Sequence, residues 1–504
     1  MGLVSRRVPA LLAALAALAF GGCGGGGGAG GDPGSGAGLV PASAALFVAV
    51  NTDFGSDQWQ AAEQLATRFP AARKVLAELG RNLESDNLDF ERDVKPALGP
   101  EVDIVLVAPG GEEGAVVLTQ PRDEEKWREL VTSGEDPGVT DELEDGWWAA
   151  AETREALDAF ESARGDESLA EDDAFDDAIG KLPEERLATA YVRGDALSEE
   201  LGTEGKLDED DRGALRCLLG NERIRSLAFA LGAEANGVRV SGAVSAEDPG
   251  EADESRSELV EKLPAGALAV LSVENVAEQA RAFLRCGENA DPEFSRQLGE
   301  LESVLGLSID EDLLPLFRGE TAVAVYPRGE EGAASREGSQ VGSPIVTLAT
   351  EVADEDRARR VVDQIAVLGR LAGRVDTEEV EIAGVRAERV TIGDGELFYA
   401  VFDRLLVATT AEEGIARIRE EGDRLADDER FASARAAAGA PDETTGFLYA
   451  DVKQAIELAL PLSMGVGDEV EGEARENLAP LRSLFVWGGV DGDAIEFEGF
   501  LGID

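Results

Sequence analysis

The residues that could do chemistry in this chain of 504 are few. There are three cysteines, Cys23, Cys217 and Cys286, and no histidine. Without histidine the chain lacks the commonest general base and metal ligand, and with it every Ser-His or Cys-His nucleophile pair. Cys23 directly follows Gly21-Gly22. A cysteine behind small residues resembles the lipobox of bacterial lipoproteins, in which the signal is cut before the cysteine and the sulfur takes a diacylglycerol. Phe20 departs from that pattern, where Leu is usual three residues before the cysteine. Cys217 and Cys286 both follow Leu-Arg. Outside the cytoplasm two such cysteines commonly pair, the alternative being two separately buried thiols. By loop length a bond between them would stabilise by about 4 kcal/mol, and two reactive thiols in unreduced, denatured protein would exclude it.

Other candidates fall to ordinary structural readings. Asp208-Glu209-Asp210-Asp211-Arg212-Gly213 resembles the start of an EF-hand loop, but Arg212 stands at the fifth position and Leu219 at the twelfth, where oxygen ligands are needed. The acidic run from Glu171 to Asp177 suits a solvated helix start better than a calcium site. Trp147-Trp148 has the makings of a stacking platform, yet its counterpart further on is Leu405-Leu406, which points to a half-buried strand. With 103 acidic residues, a pair of carboxylates placed for glycoside hydrolysis arises by chance and signals little. The chain shows no phosphate loop, no nucleophile elbow and no metal-spaced cysteine pair. No catalytic residue, metal site or cofactor is therefore expected.

The surroundings of Cys23 set the location. Arg6 and Arg7 precede the apolar run from Val8 to Phe20, which describes a signal peptide over residues 1–22. The run is too short for an ordinary membrane-spanning helix. Ser5-Arg6-Arg7 has the start of a twin-arginine signal, but Pro9 and Ala10 do not continue it. Residues 23–38, the lipidated cysteine and a Gly-rich stretch, read as a flexible tether with a reach of roughly 20 Å. Beyond it the chain is strongly acidic, 103 acidic residues against 46 basic, a net charge of -57. Such a surface repels nucleic acid and anionic lipid alike. The expected partner is thus the membrane, reached through the lipid on Cys23, with an envelope protein or an apolar ligand as a further partner. The expected location is extracytoplasmic.

The elements that must carry these residues repeat. A cassette of proline, spacer, apolar strand and polar helix start begins at Pro41, Pro183, Pro264 and Pro441. Residues 39–248 and 263–504 each hold two cassettes, joined by an acidic linker over 249–262. Each copy also carries helical stretches (61–79 and 276–305), an apolar strand pair (104–107 with 115–118, and 322–325 with 345–348) and acid-started helices near Asp123 and Asp354. Trp147-Trp148 aligns with Leu405-Leu406, and Thr410 with Glu413 has capping-box spacing. Leu169 to Phe175 aligns with Leu425 to Phe431. Each copy closes in a hairpin, with turns expected at Asn236-Gly237 and Asp491-Gly492. Short alternating strands and tight turns predict an α+β fold: two tandem repeats, each a mostly antiparallel sheet with helices on one face.

The Val-Pro-Ala lead of the first cassette and the Leu-Ala-Asp/Glu-Asp-x-x-Phe segment before the second and fourth are similar to those of a bacterial family of unknown function, DUF3352. The resemblance spans nearly all of the chain beyond the leader. It implies a secreted lipoprotein and supplies no catalytic residues. The resulting expectation is a lipid-anchored, non-catalytic binding or scaffold module of the cell envelope. A carrier of an apolar ligand is the alternative, and a carboxylate-based hydrolase a remote third.

Overall fold

Apolar alternation in the cassettes makes strands, and their pairing is the centre of the fold. The computed structural model describes residues 34–85, 88–107, 114–133, 137–165, 167–196, 224–246, 254–290, 292–328, 344–371, 376–393, 395–460, 468–492 and 494–504. In the first repeat the strands are β1 (Leu46–Asn51), β2 (Glu101–Leu106), β3 (Ala115–Thr119), β4 (Val139–Glu142), β5 (Trp148–Ala151), β6 (Ala188–Arg193), β7 (Ile224–Glu234) and β8 (Gly237–Ala246). In the second they are β9 (Ala269–Val273), β10 (Thr321–Tyr326), β11 (Ile345–Glu351), β12 (Asp376–Ile382), β13 (Val385–Ile392), β14 (Gly395–Phe402), β15 (Leu405–Thr409), β16 (Gly446–Ala450), β17 (Leu481–Asp491) and β18 (Ala494–Ile503).

The pairings, all antiparallel, run β4-β5-β3-β2-β1-β6-β7-β8 through the first repeat. They continue β18-β17-β16-β9-β10-β11-β15-β14-β13-β12 through the second. The four cassette strands become two adjacent pairs, β1 with β6 and β9 with β16. The repeats join edge to edge where β8 pairs with β18, from Gly237↔Gly502 to Ser245↔Ala494. One eighteen-stranded sheet results, with the two repeats related by a pseudo-twofold axis at that seam. Two reciprocal clamps hold it. Arg239 of β8 donates to the carbonyls of Ala437 and Ala438 at 3.1 and 3.0 Å. Lys181 in turn pairs with Asp491 and, at 3.6 Å, with Glu496 of β18.

Among the described residues, the longer helices of the first repeat are α1 (Asp57–Ala66), α2 (Pro70–Ser85), α3 (Glu124–Thr132), α4 (Arg154–Ala163) and α5 (Asp173–Gly180). Those of the second are α6 (Val276–Ala290), α7 (Pro292–Leu305), α8 (Glu355–Leu371), α9 (Glu412–Arg419), α10 (Glu429–Ala437), α11 (Val452–Ala459) and α12 (Asp468–Leu478). The α+β class and the antiparallel sheet agree with expectation, but the helices cover both faces rather than one. Phe160 of α4 and Phe175 of α5 pack on Phe47, Val116 and Leu118. Trp59 of α1 and Trp127 of α3 pack on Val102 and Val117, which point the other way. In the second repeat Ile415 of α9 and Phe431 of α10 share one face, and Val361 of α8 lies on the other against Leu406. The strands are buried on both sides, so alternation alone did not reveal the second layer.

Other differences are local. The expected helical stretches at 61–79 and 276–305 are each two helices, and a proline opens the second one, Pro70 and Pro292. Thr410 and Glu413 do not form a capping box. The cap of α9 is Ala411, and the Thr410 hydroxyl instead accepts from the amide of Val346 on β11. The end of the tether is folded: Ser35–Leu39 form a 3-10 turn with Gly36 and Ala37 buried.

Candidate functional site

In each repeat a short turn precedes the first cassette, and a glutamate buried at the start of the neighbouring strand holds it. Glu320, just before β10, accepts hydrogen bonds from the amides of Glu258 and Leu259 at 2.8 and 2.9 Å and from the Ser272 hydroxyl at 2.6 Å. It also accepts one from the hydroxyl of Ser257. In the first repeat Glu101 of β2 accepts from the amides of Gly34 and Gly36 at 3.0 and 3.2 Å and from the Ser35 hydroxyl at 3.0 Å. Both glutamates are 3% exposed. A carboxylate that is buried with several N–H and O–H donors is a stable arrangement. With its acceptor sites so occupied, it serves to fasten the turn.

The second of these turns forms one wall of a cavity of about 380 Å³. Ser255 is stitched to Thr444 by two backbone hydrogen bonds of 3.1 and 3.0 Å, which together with Glu320 fixes Arg256 and Ser257 over the cavity. The opposite wall is α10, which contributes Phe431, Ala432, Arg435 and Ala436. Asp428 caps this helix by accepting from the Arg430 amide. The floor is aromatic. Phe447 of β16 and Phe485 of β17 lie parallel with centroids 5.6 Å apart, and Phe431 meets them at 5.6 and 5.7 Å. Arg435 donates to the Pro441 carbonyl at 2.5 Å and to Asp442 at 3.0 Å. Arg256 stands 4.0 Å from Glu261, both well exposed.

The first repeat has the same frame without this cavity wall. Aligned through Phe175 with Phe431 and Tyr191 with Tyr449, it carries Ile179 for Arg435, Thr189 for Phe447 and Ala228 for Phe485, and Gly34 precedes the clasped serine where Arg256 stands in the second. These four side chains are particular to the second repeat, where Phe447 and Phe485 also belong to the hydrophobic core. The first repeat's own peculiarity is Asp103 of β2, which is fully buried with neither carboxylate oxygen hydrogen-bonded. Burial and then the nearby Glu101 charge push its carboxyl well above the usual range. Ala322 takes that place in the second repeat.

The residues singled out in the sequence are dispersed. Cys286, on α6, is disulfide-bonded, while Cys23, Cys217 and the Asp208–Gly213 run lie outside the described residues. Trp147 and Trp148 are both core, on opposite faces of the sheet. Glu171 forms a capping box with Ser168, whose amide and hydroxyl hold its carboxyl below the usual range, and Asp172 caps α5. Among the described residues no cluster of His, Cys, Asp and Glu is placed to hold a metal, and no helix is long and apolar enough to cross a membrane. Sequence reasoning missed Glu101, Glu320, Arg256 and Arg435. The one usable signal was a serine shortly before the first cassette of each repeat, Ser35 and Ser257, matched by a glutamate at the head of the next paired strand.

The model of the family described as "Protein of unknown function (DUF3352)" matches residues 8–161 and 143–493. The chain belongs to this family. The resemblance drawn from the cassette motifs is thus borne out, and two matching regions are compatible with tandem repeats. No curated protein matches the chain. Among solved structures, crystal forms III and I of TP0453 are similar to 48% and 44% of this chain, covering 93% and 81% of theirs. Each is 10% identical in sequence, with TM-scores of 0.22 and 0.23. The family description assigns no activity, so the chemistry rests on the cavity itself. It presents two guanidinium groups, two hydroxyls, two carboxylates and an aromatic floor, a set suited to holding a ligand.

Proposed function

We propose that this protein is a lipid-anchored, extracytoplasmic binding module of the cell envelope that holds a small ligand in the second-repeat cavity and performs no catalysis. The observation that carries the reading is the asymmetry between repeats. On a shared frame, the second repeat has gained two arginines and two phenylalanines around one cavity where the first has small or apolar residues. Side chains found in one repeat only and brought together at one concavity are an ordinary mark of a binding site. The leader, Cys23 and the Gly-rich stretch support the location, and the net charge of -57 supports a body held off an anionic membrane surface.

The test is made on protein purified from membranes. Native mass spectrometry should show a ligand mass on the unaltered chain that is lost in Ala436→Trp, a substitution at an exposed helix position that fills the cavity. Equal spectra for the two proteins would end the binding reading. Cys23→Ala should move the protein from the membrane fraction to the soluble one, and an unchanged distribution would end the anchoring reading separately.

A further inference from the structure

Two charges of each sign border the cavity, and their surroundings differ. The Arg435 side chain is 32% exposed, whereas its partner Asp442 is 78% exposed. Arg256 and Glu261 are loosely paired at 4.0 Å and both are largely in water, where such a pair is screened and weak. The least screened charge facing the cavity is therefore positive. It is also pre-organised, because the Pro441 carbonyl and Asp442 hold the guanidinium in place. Beneath it the stacked Phe447 and Phe485, with Phe431 tilted 60° to both, form an apolar floor. In a chain where acids outnumber bases 103 to 46, a rim with two arginines for its two acids is locally far less negative than the chain as a whole.

We infer that the cavity takes a small organic anion with an aromatic or short apolar body. The anionic group would be held by Arg435 and Arg256, and the body would lie on Phe431 and Phe447. This rests on the binding reading above and adds the ligand's chemical class. Guanidinium groups match carboxylates, sulfonates and phosphates in planar, two-point fashion, and a cavity of about 380 Å³ sits at the lower end of small-molecule sites.

The experiment uses the full chain carrying Cys23→Ala, so that no detergent is needed, and two fluorescent probes with the same aromatic body. One is 8-anilinonaphthalene-1-sulfonate, an anion; the other is neutral N-phenyl-1-naphthylamine. The expected result is one-to-one binding of the sulfonate, several times tighter than that of the neutral probe. Arg256→Ala or Arg435→Ala should weaken the sulfonate roughly tenfold, with partial rescue by lysine, and leave the neutral probe unaffected. Arg256→Ala alters an exposed residue and keeps the test valid if Arg435→Ala does not fold. Equal binding of both probes, indifferent to the arginines and lost in Ala436→Trp, would overturn the anion assignment while leaving the binding reading intact. Failure of both probes to bind, or binding unchanged by Ala436→Trp, would overturn both.

Discussion

Glu101 and Glu320 show one residue type in one place doing one job twice, and Asp103 shows the cost of departing from it. The clasped turns end at residues whose amides would otherwise be buried without partners, and each glutamate supplies the missing acceptors. Asp103 has no such office. Its oxygens are buried and accept no hydrogen bond, and burial together with the neighbouring Glu101 carboxylate raises its pKa. Because its folded pKa lies above the ordinary 3.8, the folded chain keeps a proton that the unfolded chain releases. The stabilising contribution is complete below that ordinary value and is lost as pH rises through the raised folded value. Asp103→Ala, which installs the residue found in the second repeat, should therefore stabilise the protein by about 1–3 kcal/mol at neutral pH. The gain in thermal midpoint over the unaltered protein should grow as pH rises above the ordinary 3.8 towards the raised folded value. A gain independent of pH, or a loss at neutral pH, would show that Asp103 is ionised or partnered.

The elements were legible in proportion to how local their causes are. The cassettes were visible because a proline, an apolar run and a capping acid act within a few residues, as Asp451 capping α11 shows. That their strands pair as β1 with β6 and β9 with β16 was not visible, because residues far apart in the chain decide it. The strands β12, β13 and β14 were missed altogether. Their turns take the left-handed conformation at Ala383-Gly384 and Asp403-Arg404, and only one of these pairs carries the glycine that announces it. The cavity was illegible for a similar reason: its walls come from 256–261, 426–447 and Phe485. Asn236-Gly237 gave the right hairpin for the wrong reason. Neither residue has positive φ, and the turn falls one position earlier, before β8 starts at Gly237. What Gly237 supplies is the absence of a side chain, since a Cβ there would lie 2.3 Å from the Leu501 carbonyl oxygen of β18. Gly237→Ala should push β8 from β18 and destabilise the protein by about 1–3 kcal/mol, read as a lowered denaturant midpoint. Unchanged stability would mean that the seam is looser than its register implies.

At the scale of the whole molecule, the seam decides whether this is one folding unit or two. The strands β8 and β18 are each the last of their repeat, and each would be a bare edge if its repeat stood alone. The nine-residue register between them removes both edges, and the Arg239 and Lys181 clamps tie each repeat's strand or helix end to the other. The outer edges are protected differently: β4 is short, and β12 carries Asp376, Glu378, Glu379 and Glu381, charges that discourage pairing with another chain. An arrangement with only its inner edges unprotected makes each half a specific partner for the other. Residues 34–248 and 254–504, produced as separate chains, should therefore associate one-to-one when mixed. Each alone should self-associate through β8 or β18, as measured by sedimentation. Arg239→Glu in the first half should weaken the mixed complex, because it sets an acid against Glu498 and the end of α10. Halves that remain monomeric and indifferent to one another would show that each repeat is complete in itself and that the shared sheet is incidental to its stability.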